Sequence, residues 1–481
     1  MDPLKVKASE YVDSKTDLIC DVSHKIWEYA ELSLKEFKSA ELYEKVCADE
    51  GFKVEKGICG IETAFSASYG EGRPYIGILA EYDALSGLSQ ECFSLNRKEL
   101  IPGGSGHGCG HNMLGAGAFG AALAVKDYLV SSGQKGTVIL FGCPGEEGGA
   151  SKAFMARDGV WKDLDCALTW HPGDTNEVST GTCNSCIQVL YTFKGIAAHA
   201  AGNPEMGRSA LDAVELMNVG VQFLREHMPS DCRIHYAIVN GGGVSPNVVQ
   251  PEASVLYMVR SVAVKDSIAL QARVDKIAEG AAMMTETTFD RQFIDGTANT
   301  VPNTVLEKIV WDNLKEQQLP EYTDEELEFA EKLSKTYPVS GKLPGLGSKI
   351  SPSIAEEVKE LVKNSPEGLY NFVMPFYSGN DFSAGSTDVG DVSWLTPAVQ
   401  FNTVCFVADA PGHSWQNVSC GASSLGDKGT LLASKVIACS VIDLFEKPEL
   451  IEEARKEHAK RTAEFGGFVS PIPDDAKPIA I

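Results

Sequence analysis

With 481 residues, 43% of them hydrophobic and 22% charged, the chain is an ordinary globular polypeptide that is too long for one common core, so two domains are expected. A formal net charge of -24, with no Lys/Arg-rich run to offset it, excludes nucleic acid and anionic membrane as partners. Residues 1–7 lack the apolar core of a signal peptide, the longest apolar run (113–125) is too short to span a bilayer, and thirteen cysteines without regular spacing fit reduced thiols, so a cytoplasmic protein is expected.

Residues 1 to about 50 carry helical spacing, with Ile19, Val22, Ile26 and Trp27 and then Leu42 and Val46 on apolar stripes. Residues 75–80 read as a buried strand that passes directly into Glu81, Tyr82 and Asp83. A glycine-rich loop follows, Gly106-His-Gly-Cys-Gly-His-Asn112, in which Cys109 and His111 can point at one cation. A strand at 137–142 leads to Glu146 and Glu147, and a strand at 166–170 leads to His171. From Gln188 the order changes to strand, long helix (209–227), strand (233–239), strand (253–260), long helix (266–285) and strand. That order predicts an α+β sandwich, 187–296, inserted between catalytic parts 1–186 and 297–481. The segment 320–380 is polar and is expected to be an insertion with short helices of its own rather than core. A strand at 404–408 then precedes a loop holding His413, and 427–445 is expected to be the last long helix before an irregular tail.

Short apolar runs bounded by Gly and Pro, with helices between them, predict an α/β fold with a mostly parallel sheet. Ligands bind outside the carboxyl ends of such strands. Four strand ends therefore deliver His, Glu or Asp to one edge, where the Cys109 and His111 loop also feeds a helix. A thiol, imidazoles and carboxylates suit zinc or a similar first-row ion, and the set exceeds the needs of one closed tetrahedral site, which reads as a two-metal hydrolytic centre. Adjacent Glu146 and Glu147 can split roles, one on metal and one free to take a proton from water. His107 is expected to shape the loop or bond a carbonyl. Gly115 to Gly120 matches GxGxxG inside a helical stretch, so close helix packing is expected rather than dinucleotide binding. Cys183 and Cys186, a lone CxxC, read as half-buried thiols in a strand.

Taken together, Glu81-Tyr-Asp-Ala-Leu-Ser-Gly-Leu, Gly106-His-Gly-Cys-Gly-His-Asn, Gly142-Cys-Pro-Gly-Glu-Glu-Gly-Gly, Leu168-Thr-Trp-His-Pro, Phe193-Lys-Gly-Ile-Ala-Ala-His-Ala, Ser245-Pro-Asn-Val-Val-Gln and Ser386-Thr-Asp-Val-Gly-Asp-Val-Ser-Trp are similar to the motifs of the M20 metallopeptidase and amidohydrolase family. The chain resembles its Cys-Gly-His branch over nearly the whole length. The resemblance implies a catalytic domain of zinc-peptidase type with an inserted dimerisation (lid) domain. It implies that Cys109, His111, Glu147, His171 and His413 bind two divalent ions, zinc or manganese, that Glu146 is the general base, and that Asp83 orients a ligand imidazole. It further implies that His199 reaches the partner's active site to stabilise the oxyanion, and that Asn247 and Arg260 face the substrate carboxylate.

The activity implied is hydrolysis of an amide bond to an amino acid, with p-aminobenzoyl-glutamate as the leading substrate. A dipeptidase or broader N-acyl amino acid hydrolase is the alternative, and a non-catalytic partner subunit of a hydrolase heterodimer is a reading of another class. The expected ligand is a small acyl amino acid or dipeptide, and the expected assembly is a homodimer or a heterodimer with a paralogous subunit. Two departures stand out. Asn112 follows Cys-Gly-His where the branch has Asp, and Asp388-Val-Gly-Asp391 replaces a Glu-Asp pair without showing which aspartate corresponds.

Overall fold

The computed structural model describes residues 1–339, 341–345, 350–378 and 381–480. Ile76, Ile78, Val138 and Leu140 are fully buried, as aliphatic runs covered on both sheet faces must be. In chain order the strands are β1 (Lys53–Lys56), β2 (Phe65–Glu71), β3 (Tyr75–Ala80), β4 (Gly136–Gly142), β5 (Cys166–Gly173), β6 (Glu177–Val178), β7 (Thr182–Cys183), β8 (Ser185–Lys194), β9 (Arg233–Asn240), β10 (Glu252–Ser261), β11 (Thr288–Thr297), β12 (Phe382–Ser383) and β13 (Ala398–Val404).

The large sheet has the order β1-β2-β4-β3-β5-β13-β6. Its four central strands are parallel and its margins antiparallel, which is the expected α/β core. The chain passes from β3 to β4 on one side and then back across β3 to β5. The strand order therefore reverses at β3, and the carboxyl ends of β3, β4 and β5 open on one crevice.

Helix His111–Ser132 packs on this sheet. By length and composition it could cross a membrane, yet 83% of its apolar window is buried, which marks it as a core helix. A Cβ added at Gly117 would fall 2.6 Å from the Trp170 ring, and one at Gly120 would fall 2.6 Å from Ser434 Oγ. The GxGxxG run is thus a close-packing surface, as expected.

From β8 to β11 the chain builds a second core. Four antiparallel strands in the order β11-β8-β10-β9, with helices Ala210–Arg225 and Val264–Thr285, enclose Val189, Tyr191, Met217, Val255 and Val274. Edge strand β9 leaves Tyr236, Ile238 and Val239 exposed, and the neighbouring helix leaves Val219 and Phe223 exposed.

Three expectations need correction. Residues 404–408 are not a strand, because β13 ends at Val404 and the Gly173 carbonyl then accepts from both Cys405 N and Phe406 N, which curls the chain out of the ladder. The polarity of Gln400, Asn402 and Thr403 masks the true strand. The 320–380 segment does carry helices, Asp324–Ser334 and Pro352–Lys363, but Phe329, Ala330 and Leu333 belong to the main core. Its residues 340, 346–349 and 379–380 lie outside the described residues. A further helix, Pro448–Glu464, follows the one expected to be last, and it is polar because only Ile451 and Ala454 on it are buried.

Candidate metal centre

Beyond β3 the chain stays extended, so Glu81 and Asp83, two residues apart, turn to one side and are 2% and 1% exposed. Asp83 is a hub. Its Oδ1 accepts from His111 Nδ1 at 2.8 Å, and its Oδ2 accepts from Ser33 Oγ at 2.7 Å and from Glu147 N at 2.9 Å. With Nδ1 committed as donor to Asp83, His111 turns Nε2 toward the donors, 3.3 Å from Glu81 Oε2. Gly110, at φ 83, makes the left-handed turn from which His111 starts its helix.

The other strand ends close the set. His171, at the end of β5, donates from Nδ1 to the Pro172 carbonyl at 2.8 Å, which leaves its Nε2 3.4 Å from Cys109 Sγ. His413 lies on the loop after β13 at φ 53, a conformation uncommon for a non-glycine residue and typical of strained functional positions. Its Nε2 is 3.4 Å from Glu147 Oε1.

The donor atoms form three groups, each within 4.8 Å: Cys109, His111 and His171; Cys109, Glu147 and His413; Glu81, His111 and Glu146. The first two share Cys109 and contain all five residues expected as ligands. Buried His111 Nε2 and Glu147 Oε1 have no hydrogen-bond partner, a condition that costs about 1–3 kcal/mol per group when nothing else satisfies it. A divalent ion in each of the two groups would satisfy both atoms, and the thiol, imidazole and carboxylate donors are those of a first-row metal. The residues present therefore fit a dinuclear centre.

Electrostatics point the same way. Burial, with Glu81 and Asp388 adding to it, holds the Glu146 carboxyl well above the usual range. Burial also raises Glu147, against the pull of His111. The Cys109 thiol is pushed up to about 12 by burial, and His171 is brought down to about 4 by burial and by His111. Crowded acids and a thiol in low dielectric are what a bound dication reverses.

A fully buried lysine was not expected here. Lys152 Nζ lies 2.8 Å from Glu81 Oε1 and 2.6 Å from Asp388 Oδ1, and its backbone N donates to Asp388 Oδ2 at 3.0 Å. Burial opposes its charge, but Asp388 and Glu81 outweigh burial and keep it protonated. The third donor group thus already holds a cation beside Glu81. The signal in the sequence is a single lysine among buried Ser151, Ala153, Phe154, Met155 and Ala156. Lys152 also separates the two aspartates: Asp388 faces the donors through it, whereas Asp391 Oδ2 accepts from Ala298 N at 2.8 Å. Asn112 turns to the helices instead, donating to Ser23 Oγ at 3.0 Å and to the Gly421 carbonyl at 2.8 Å, so the carboxylate on His111 is that of Asp83. His107 Nε2 lies 3.0 Å from the Ile26 carbonyl, the bond expected of it. Cys183 and Cys186 are free and buried.

The remaining candidates lie in the second core. His199 is exposed, and its Nδ1 accepts from Ala201 N at 3.2 Å and Gly202 N at 3.0 Å. The exposed Asn247 is beside it, its carbonyl accepting from Ala200 N at 3.0 Å. Arg260 donates to Ser386 Oγ at 3.1 Å and has no carboxylate partner among the described residues. Asn247 lies on the loop before the ten-residue strand β10 and Arg260 near that strand's far end, on the order of 25–30 Å away at the rise of an extended strand.

A parallel sheet whose switch point gathers two donor groups around a shared thiol, with a separate half-buried glutamate beside them, defines a metal-dependent hydrolase. The chain belongs to peptidase family M20/M25/M40, whose pattern its residues 77–387 match. It is 44% identical over 463 residues to a subunit of the p-aminobenzoyl-glutamate hydrolase of Escherichia coli (strain K12), covering 95% of each chain. It is 26% identical to the Xaa-Arg dipeptidase of Mus musculus, covering 94% of this chain and 92% of that one. Its fold is that of a dinuclear metal binding peptidase of the M20 family from Bacillus subtilis, with a TM-score of 0.54 at 16% identity, covering 90% of this chain and 99% of that one.

Proposed function

We propose that this enzyme hydrolyses the amide bond of p-aminobenzoyl-glutamate, releasing p-aminobenzoate and glutamate. The observation that carries the reading is the sharing of Cys109 by two donor groups beside Glu146; the likeness to a component of a p-aminobenzoyl-glutamate hydrolase supplies the substrate. In this reading Cys109, His111 and His171 hold one ion, and Cys109, Glu147 and His413 hold the other, zinc or manganese. The chemistry such ions would supply when bound there is polarisation of the scissile carbonyl and a lowering of a water's pKa to roughly 7. Glu146 takes the proton of the attacking water and returns it to the leaving amine nitrogen. Lys152 holds Glu81 and Asp388 in place behind it. The likeness to a dipeptidase keeps dipeptides as a second substrate class.

The catalytic unit is read as a dimer, homomeric or with a paralogous subunit, since the Escherichia coli relative is named as one subunit of its hydrolase. The unpaired, apolar edge of β9 supports it, since such edges join other chains unless protected. His199 accepts two N–H bonds at Nδ1, so its neutral ring carries the proton on Nε2, the donor an oxyanion needs. One substrate can touch both Arg260 and the His199 and Asn247 pair only if that pair comes from the partner.

Purified alone and loaded with manganese or zinc, the chain is expected to release glutamate from p-aminobenzoyl-glutamate, to stop on chelation and to recover when metal is returned. Active protein free of transition metal by elemental analysis would overturn the reading. Activity only after addition of a paralogous subunit would make the unit a heterodimer. Arg260→Ala is expected to raise KM for the free acid roughly 10- to 100-fold, because a guanidinium clamp on a carboxylate is lost, with much less effect on the corresponding amide. Arg260→Lys should recover part of that loss. Equal effects on acid and amide would show that Arg260 does not read the carboxylate.

A further inference from the structure

In the large sheet His171 of β5 lies opposite Asn402 of β13, and Asn402 lies opposite Glu177 of β6. Directly paired residues point to the same face and neighbouring strands are about 4.8 Å apart, so Glu177 shares the face of His171 at a lateral distance of about 10 Å. His171, Asn402 and Glu177 each keep some surface open, while Trp170 and Phe401, facing the other way, are fully buried. Asn402 Oδ1 has no hydrogen-bond partner. These three residues form a row across one face of the sheet, from the metal centre toward its margin.

At the far end of that row a cavity of about 430 Å³ opens beside Glu177. Trp311, Phe376 and Tyr377 line it, with the Trp311 and Phe376 rings 5.4 Å apart and Trp311 Nε1 donating to the Met374 carbonyl at 2.9 Å. Asp381 also lines it; this residue is 6% exposed and its Oδ1 has no hydrogen-bond partner. Thr175 Oγ1 donates to Glu177 Oε1 at 2.9 Å, and no basic side chain pairs with Glu177 or Asp381 among the described residues. Lys308 and Lys315 stack on Trp311 but do not line the cavity.

Aromatic walls with two carboxyl groups at the end are the complement of a flat ring that carries N–H donors. We propose that this cavity is the subsite for the distal end of the acyl group and that it selects an aromatic acyl group bearing an amine opposite its carbonyl. The inference rests on the function proposed above and deepens it. An aromatic ring with a para amine, together with the hydrogen bond the amine makes, is about as long as the roughly 10 Å that two strand spacings put between His171 and Glu177. Burial raises the Glu177 carboxyl to about 8, which suits a neutral arylamine better than an ammonium ion. An apolar replacement, rather than Gln, is therefore the informative one, because Gln would keep the accepting carbonyl.

The test compares kcat/KM for p-aminobenzoyl-glutamate with that for benzoyl-glutamate, which lacks only the amine, in the metal-loaded protein. The unmodified enzyme is expected to prefer the amino compound, and Glu177→Met and Asp381→Leu are each expected to cut that preference roughly tenfold or more, the effect of leaving a buried polar group unpaired. Turnover of benzoyl-glutamate should stay close to that of the unmodified enzyme, which shows that fold and metal centre are intact. Inhibition by p-aminobenzoate should weaken in the same variants while inhibition by benzoate does not. An unchanged preference in both variants, or equal loss on both substrates, overturns the subsite and leaves the proposed hydrolysis standing. If the metal-loaded protein hydrolyses neither compound, alone or with a paralogous subunit added, the functional reading falls and the subsite with it.

Discussion

Glu146→Gln is expected to keep its full complement of metal and to lose roughly 10²- to 10⁴-fold in kcat, the usual contribution of a positioned proton-transfer group. Glu147→Gln is expected to lose metal. The two glutamates are neighbours in sequence and chemically identical, so the contrast rests on where each carboxylate lies. Glu147 groups with Cys109 and His413 and has a buried oxygen that makes no hydrogen bond, whereas Glu146 groups with Glu81 and His111 next to the Lys152 cation. Burial and the carboxylates of Glu81 and Asp388 also favour the proton on Glu146, which suits a group that must carry one between water and leaving amine. Metal content by elemental analysis, measured beside kcat, decides the matter. Loss of metal in Glu146→Gln with retention in Glu147→Gln would swap the two roles.

Mixing two inactive variants, His199→Ala and Glu146→Gln, is expected to restore activity once protomers exchange. If each site combines one protomer's Glu146 with its partner's His199, half of the randomly formed dimers are mixed and each mixed dimer has one intact site, so about a quarter of the full activity should return. The expectation follows from the length of β10. His199 and Asn247 are zipped together at one end of the second core, Arg260 lies at the other end beside Ser386, and no single small substrate spans both. A mixture that stays inactive despite demonstrated exchange would mean that His199 acts in its own protomer or not at all.

Much of the centre is legible in the sequence because its residues follow local rules. Glycine around Cys109 and His111, and single histidines or acids at the ends of apolar runs, mark strand ends and tight turns from sequence alone, and a parallel sheet brings such ends to one edge. Lys152 escapes such a reading because its neighbours in sequence are apolar and its partners, Glu81 and Asp388, are 71 and 236 positions away. The expected position of β13 is displaced by several residues because Gln400 and Asn402 interrupt its apolar pattern. The helix after the expected last one leaves little trace because it buries one narrow stripe, which a hydrophobic period barely records.

By itself, then, the sequence determined the α/β class and pointed to an inserted α+β unit, to candidate donors at strand ends and to a division of labour to be looked for between adjacent glutamates, since each depends on residue type and short-range spacing, while the choice of five ligands came from the family resemblance. Only the tertiary structure decided that Cys109 belongs to both donor groups, that Lys152 joins Glu81 to Asp388, that Asp388 and not Asp391 faces the centre, and that Asn247 and Arg260 stand far apart. Those are relations between residues distant in the chain, set by strand order and register, and no local pattern encodes a distance across a sheet.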